Sequence, residues 1–123
     1  MRRVFLVDDE AAVRAALRKR LALEPDMSVV GEASSADEAL DLVPTSGADV
    51  VLMDVAMSDM DGIAATRALR DCSPRASVIV LTIHDTDRTR AQARDAGAVT
   101  CIGKHEPIEV LLGAIRRARP PGS

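Results

Sequence analysis

Aromatic residues are almost missing: Phe5 stands alone, with no Tyr and no Trp. A core without rings must be filled by Val, Ile, Leu, Ala and Met. The same lack removes the stacking platforms on which single-stranded nucleic acids lie. Positive charge is not in excess either. The formal net charge is −3 and the pI is near 5.3, which argues against nucleic-acid binding through bulk electrostatics. No apolar run approaches the roughly 18 residues that a transmembrane helix needs. The start, Met1-Arg2-Arg3, is basic, but the apolar stretch Val4 to Val7 ends at Asp8, too soon for a signal-peptide core. No membrane association is expected, and the cytoplasm is the expected location. Only Cys72 and Cys101 carry thiols, without a CxxC, and His84 and His105 do not space with them as zinc ligands. They read as free thiols of a reducing compartment. No G-x-G-x-x-G follows the first apolar run, which argues against a dinucleotide-binding dehydrogenase.

What is present is the profile of an ordinary globular domain. The 123 residues suit one core, and 47% are apolar and 28% charged. Val4-Phe5-Leu6-Val7 reads as a buried strand. Residues 10–23 carry Val13, Leu17 and Leu21 at helical spacing, with Arg14, Arg18, Lys19 and Arg20 on the other faces, until Pro25-Asp26 breaks the pattern. Residues 28–32 form a second strand. Ser35 to Glu38 is a capping box that opens a helix with Ala39, Leu40 and Val43, ending near Pro44 and Gly47. Residues 49–53 are the third strand and 63–71 the third helix. Residues 77–82 are a β-branched fourth strand. Residues 86–96 are helical up to Gly97, 99–102 are a fifth strand, and Pro107 begins a last helix with Ile108, Leu111, Leu112 and Ile115. Arg116, Arg117 and Arg119 close it, where cations suit the helix dipole.

The order is strand then helix, five times. Strands that are continuous apolar runs imply a parallel sheet covered on both faces. Short right-handed crossovers then favour a doubly wound α/β fold. Ligands bind such sheets outside the carboxyl ends of the strands, at the switch point in strand order. Asp8 and Asp9 follow strand one, Asp54 follows strand three, Thr82 ends strand four and Lys104 follows strand five. Each has an ordinary reading. Asp8 and Asp9 could cap the first helix. Asp54 could be a turn residue, Thr82 a plain strand residue and Lys104 a solvated cation. All five fall on one edge, which weakens those separate readings.

Three carboxylates so close repel. At about 4 Å and an effective dielectric near 20, each pair costs on the order of 4 kcal/mol. Hard oxygen ligands suit Mg²⁺ (or Mn²⁺), and Lys104 adds a second positive point. A divalent ion, a lysine and a hydroxyl around one aspartate suit phosphoryl transfer onto that aspartate.

These residues, with "MDVAMSDMDG" and "GEASSADEAL", make residues 3–118 resemble the receiver domain of bacterial two-component response regulators, most like the NarL/LuxR type. The resemblance implies a (βα)5 flavodoxin-like, CheY-like three-layer sandwich with a parallel sheet ordered 2-1-3-4-5. Residues 1–119 would be the receiver domain. Asp54 would accept a phosphoryl group from a sensor histidine kinase, with no other enzyme activity. Asp9 and Asp54 would bind the metal directly, with the Ala56 backbone carbonyl as a third protein ligand and Asp8 holding metal-bound water. Lys104 and Thr82 would contact the phosphoryl oxygens, and Thr82 would move toward them as the switch. Asp61-Gly62 would turn the chain into the third helix, and Asp59 would be solvated.

Four positions depart from the family pattern. Ser58 replaces a common Pro. Cys101 replaces the Tyr or Phe that usually moves with the Thr. His105 replaces a Pro often joined by a cis bond, and a cis Lys104–His105 bond would cost roughly 2.5–4 kcal/mol. Ile83 replaces a small residue, and is expected to hinder water from reaching an acyl phosphate. Cys101 and His105 leave a second reading open: a pseudo-receiver that binds protein partners independently of phosphate. A haloacid-dehalogenase-type phosphatase would want Asp where Ala56 stands. A homodimer through the Arg-rich fourth and fifth helices is possible on charge. Pro120 to Ser123 reads as the start of a linker or a cloned end. A helix-turn-helix output domain is expected beyond it, and contact with DNA only through that domain.

Overall fold

The computed structural model describes residues 1–55 and 61–119. Ten elements alternate: β1 (Arg2–Val7), α1 (Ala11–Leu21), β2 (Met27–Ala33), α2 (Ala36–Ser46), β3 (Val50–Asp54), α3 (Gly62–Cys72), β4 (Ser77–Thr82), α4 (Asp87–Ala96), β5 (Thr100–Gly103) and α5 (Ile108–Arg117). The strands form one parallel sheet in the order β2-β1-β3-β4-β5. The doubly wound α/β expectation holds, including the order 2-1-3-4-5.

Residue parity explains the unbroken apolar runs. Phe5, Val7, Val51, Met53, Val78, Val80 and Cys101 pack on one face, with Ala39 and Val43 of α2, Ala65 and Leu69 of α3 and Ala93 of α4. Val4, Leu6, Val50, Leu52, Ile79, Leu81 and Ile102 pack on the other, with Leu21 of α1 and Leu111, Leu112 and Ile115 of α5. Successive strand side chains feed opposite layers, so every position must be apolar. The single ring, Phe5, lies under Gly31, where an added Cβ would stand 2.6 Å from the ring. The β1–β2 register slips between Val4 and Phe5, bringing Gly31 opposite Phe5.

Local signals set most of the boundaries. Ser35 Oγ accepts from Glu38 N at 3.2 Å, while Glu38 Oε1 accepts from Ser34 N at 3.1 Å, one residue before the donor of the usual capping box. α2 does not stop at Pro44. It runs to Ser46, and Gly47 closes it at φ 76°. Pro44 lies in the last turns, where it removes one backbone donor without ending the helix. Thr86 caps α4 through Thr89 N, and Gly97 closes it at φ 107°. Asp61 caps α3, accepting from Ile63 N at 3.0 Å and Ala64 N at 3.2 Å. Gly62 is required by proximity: a Cβ there would lie 2.7 Å from Val55 Cα and 2.8 Å from the Asp54 carbonyl oxygen. Among the described residues no peptide bond is cis, so Lys104–His105 is trans. No described helix is long and apolar enough to cross a membrane. Ala56, Ser58, Asp59 and Pro120 to Ser123 lie outside the described residues.

Candidate functional site

The strand order reverses at β1, whose neighbours are β2 and β3, and α1 and α3, which follow β1 and β3, pack on opposite faces. A crevice therefore opens at the carboxyl ends of β1 and β3. The ladder aligns Val7 with Met53, Asp54 with Leu81, and Thr82 with Gly103. The chain thus delivers Asp8, Asp54, Thr82 and Lys104 to one edge. Asp54 is the last residue of β3 rather than the first after it.

Lys104 draws the acids together. Its Nζ lies 3.1 Å from Asp54 Oδ2 and 3.4 Å from Asp8 Oδ2. Both acids are buried, at 3% and 2% exposure. Asp8 Oδ1 also accepts from Glu10 N at 2.9 Å, and Arg14 Nη1 donates to the Asp8 carbonyl at 2.6 Å. Burial pushes the Asp8 carboxyl above the ordinary carboxylate value, and the Asp54 charge adds to this against the Glu10 hydrogen bond and Lys104. Burial opposes the charge on Lys104, but the Asp54 hydrogen bond and both carboxylates outweigh it and raise the lysine. One cation thus stands between two buried acids.

Asp9 is half-buried, and one carboxylate oxygen from each of Asp8, Asp9 and Glu10 fits within 4.8 Å. Hard, anionic oxygens so close together fit a divalent ion such as Mg²⁺. Glu10, the third of these acids, is exposed, and in the sequence it reads as the first residue of the helical stretch 10–23. Thr82 is 1% exposed, and its Oγ1 accepts from His84 N at 2.9 Å. Lys104 N donates to the Thr82 carbonyl at 2.7 Å, tying the ends of β4 and β5 together. Ile83, next to Thr82, is 59% exposed. Beside Lys104 an apolar groove of about 380 Å³ opens between α1 and α5, walled by Val13, Leu17, Ile108 and Leu111.

A second group of side chains adjoins this edge. Arg90 grips both oxygens of Asp85, at 2.6 and 2.9 Å, and donates to the Cys101 carbonyl at 2.9 Å. It holds the Asp85 carboxyl below the ordinary value. Burial pushes the Cys101 thiol up. His105 Nε2 lies 3.7 Å from Glu106 Oε1 at the rim.

Known proteins resemble this chain in sequence and fold. The profile of the response regulator receiver domain matches residues 4–116. The chain is 36% identical over 113 residues to the response regulator UvrY of Escherichia coli K12, covering 92% of this chain and 52% of UvrY. It is 38% identical to the nitrate/nitrite response regulator protein NarP of the same organism, covering 92% of this chain and 53% of NarP. The chain therefore spans about half the length of these relatives. The crystal structure of a two-component response regulator of the LuxR family from Aurantimonas superposes with a TM-score of 0.87 at 33% identity, covering 93% of this chain and 81% of that one. The profile match over nearly all of the chain, on a sheet of the same order, makes this protein a member of the response regulator receiver domain family, on the NarL/LuxR side of it.

Proposed function

We propose that this domain takes a phosphoryl group onto Asp54 from a phosphohistidine of a sensor kinase. The observation that carries the reading is Lys104 Nζ held between Asp54 Oδ2 and Asp8 Oδ2. That geometry presents a buried carboxylate oxygen as nucleophile, with a cation beside it to receive charge on the phosphoryl oxygens. An Asp54 oxygen attacks phosphorus while the P–N bond to the kinase imidazole breaks, and the bonding pair returns to that nitrogen. Asp9 and Asp54, with the Ala56 carbonyl, would hold Mg²⁺ directly, and Asp8 would hold it through water. Bound there, the ion would offset the acids and the incoming phosphate charge. Lys104 then exchanges a carboxylate contact for a phosphoryl oxygen. Thr82 donates its hydroxyl proton to another. The phosphorylated form would control an output domain of helix-turn-helix type that is not part of these 123 residues, and DNA would be met only through it.

A second reading, the phosphate-independent interaction module, draws on Cys101, a buried thiol where the family usually has a ring. Intact mass after incubation with Mg²⁺ and acetyl phosphate separates the two. The expected result is one phosphoryl adduct on the wild type and none on Asp54→Asn. No adduct on either, where a known receiver is labelled, would favour the interaction module. Ile83→Ala should shorten the lifetime of the adduct, because the exposed isoleucine beside Thr82 then no longer obstructs water. An unchanged lifetime would remove that role.

A further inference from the structure

We propose that Arg90 couples the phosphoacceptor edge to β5, taking over by hydrogen bonds the connection that a moving aromatic ring would otherwise make. This rests on the phosphoacceptor reading and deepens it. The residues after β4 form a short, internally bonded loop. Thr82 Oγ1 accepts from His84 N at 2.9 Å, and Thr86 N donates to the His84 carbonyl at 3.0 Å. Asp85 lies between these bonds. Arg90 Nε and Nη2 grip its two oxygens, and Nη1 reaches the Cys101 carbonyl on β5 at 2.9 Å. One planar guanidinium therefore spans from the loop that begins at Thr82 to the neighbouring strand. A displacement of Thr82 toward Asp54 pulls on Asp85 and, through Arg90, on the Cys101 backbone.

The end of β5 lies close to this pair: a Cβ at Gly103 would stand 3.2 Å from Asp85 Oδ2. The three donors of Arg90 diverge in a fixed fork, which a lysine cannot reproduce. Cys101 itself has no ring with which to follow Thr82; its carbonyl is what Arg90 holds.

The test is amide hydrogen exchange of the wild type and Arg90→Ala, each with and without acetyl phosphate and Mg²⁺, with labelling scored by intact mass. In the wild type, phosphorylation should change exchange both in residues 83–86 and in residues 100–103. In Arg90→Ala the change at 83–86 should persist and the change at 100–103 should be lost. Arg90→Lys should not restore it. Asp85→Asn breaks the fork from the other side with Arg90 intact, and should give the same loss should Arg90→Ala fold poorly. A response at 100–103 that survives in Arg90→Ala or Asp85→Asn overturns the coupling alone, as does a labelled wild type with no response there. A wild type that takes no phosphoryl group overturns the phosphoacceptor reading, and the coupling with it.

Discussion

The two ends of the sheet use similar charges in opposite ways. At the amino end, Arg116 holds Asp26 at 2.8 Å and Glu24 at 2.6 Å, Arg20 holds Glu24 at 2.8 Å, and Arg2 donates to the Arg116 carbonyl at 2.9 Å. These groups lie at the surface, and the arginines push the Glu24 and Asp26 carboxyls down. At the carboxyl end, Asp8 and Asp54 are buried with Lys104 between them, and Asp8 is pushed up. The amino end is satisfied as it stands. The carboxyl end instead holds its charges inside the fold. Exposed pairs read as structure, and buried acids drawn together on one cation read as a site.

Replacing Lys104 with Met should widen this difference most. It leaves Asp8 and Asp54 facing each other without their cation. Labelling by acetyl phosphate should slow about 100-fold, followed by intact mass over time. Stability should fall by about 1–3 kcal/mol. This is below the range for a fully buried pair, because Lys104 keeps 24% exposure. Added Mg²⁺ should recover part of that loss in a thermal melt.

Asp8→Asn should act in the other direction. It removes a buried charge but keeps an oxygen for Glu10 N, so the metal-free Tm should rise, by the equivalent of about 0.5–2 kcal/mol. The pH dependence distinguishes the two ends. The folded value of Asp8 lies above its ordinary 3.8, so its contribution is fully present below 3.8 and is lost as pH rises through the raised value. Glu24 and Asp26 have depressed folded values. Their contribution is present above their ordinary 4.5 and 3.8, and is lost as pH falls through the folded values. Mild acid therefore strengthens one end, and stronger acid weakens the other. Urea melts of wild type and Asp8→Asn across this range should converge at low pH and separate above it. Convergence at high pH would contradict the assignment.

The smallest effect belongs to Arg116→Ala. Labelling should be unchanged and the Tm at neutral pH scarcely moved, since exposed ion pairs contribute little. Its signature is a weaker loss of stability on acidification, because Asp26 loses the arginine that depresses it most while Glu24 keeps Arg20 alone. A change in labelling rate would mean that the two ends communicate.

The alternation of elements and the edge residues are legible in the sequence because apolar runs and turn residues are local signals, whereas the strand order comes only through the family resemblance. Asp8, Asp54, Thr82 and Lys104 each directly follow or close a recognisable run. The ending expected near Pro44 and Gly47 falls at Gly47, since a proline late in a helix costs one bond and the glycine supplies the left-handed stop. Arg14 and Arg90 are missed for another reason. Each looks like one more cation on a charged helix face, yet one reaches the Asp8 carbonyl and the other the Cys101 carbonyl. Those targets are backbone atoms of other elements, which no side-chain pattern encodes. Glu10 joins the acids only through the turn that seats Asp8 Oδ1 on its amide.

The lone ring over Gly31 has a practical consequence. Without Trp or Tyr the protein is nearly dark in the near ultraviolet, so metal or phosphate binding cannot be followed by intrinsic indole fluorescence. In proton NMR the same scarcity becomes an advantage. The Phe5 ring gives the only phenyl resonances of the chain, shifted by the backbone pressed against it, on the strand that leads to Asp8. Events at the acid edge can thus be read at a single buried position in unlabelled protein.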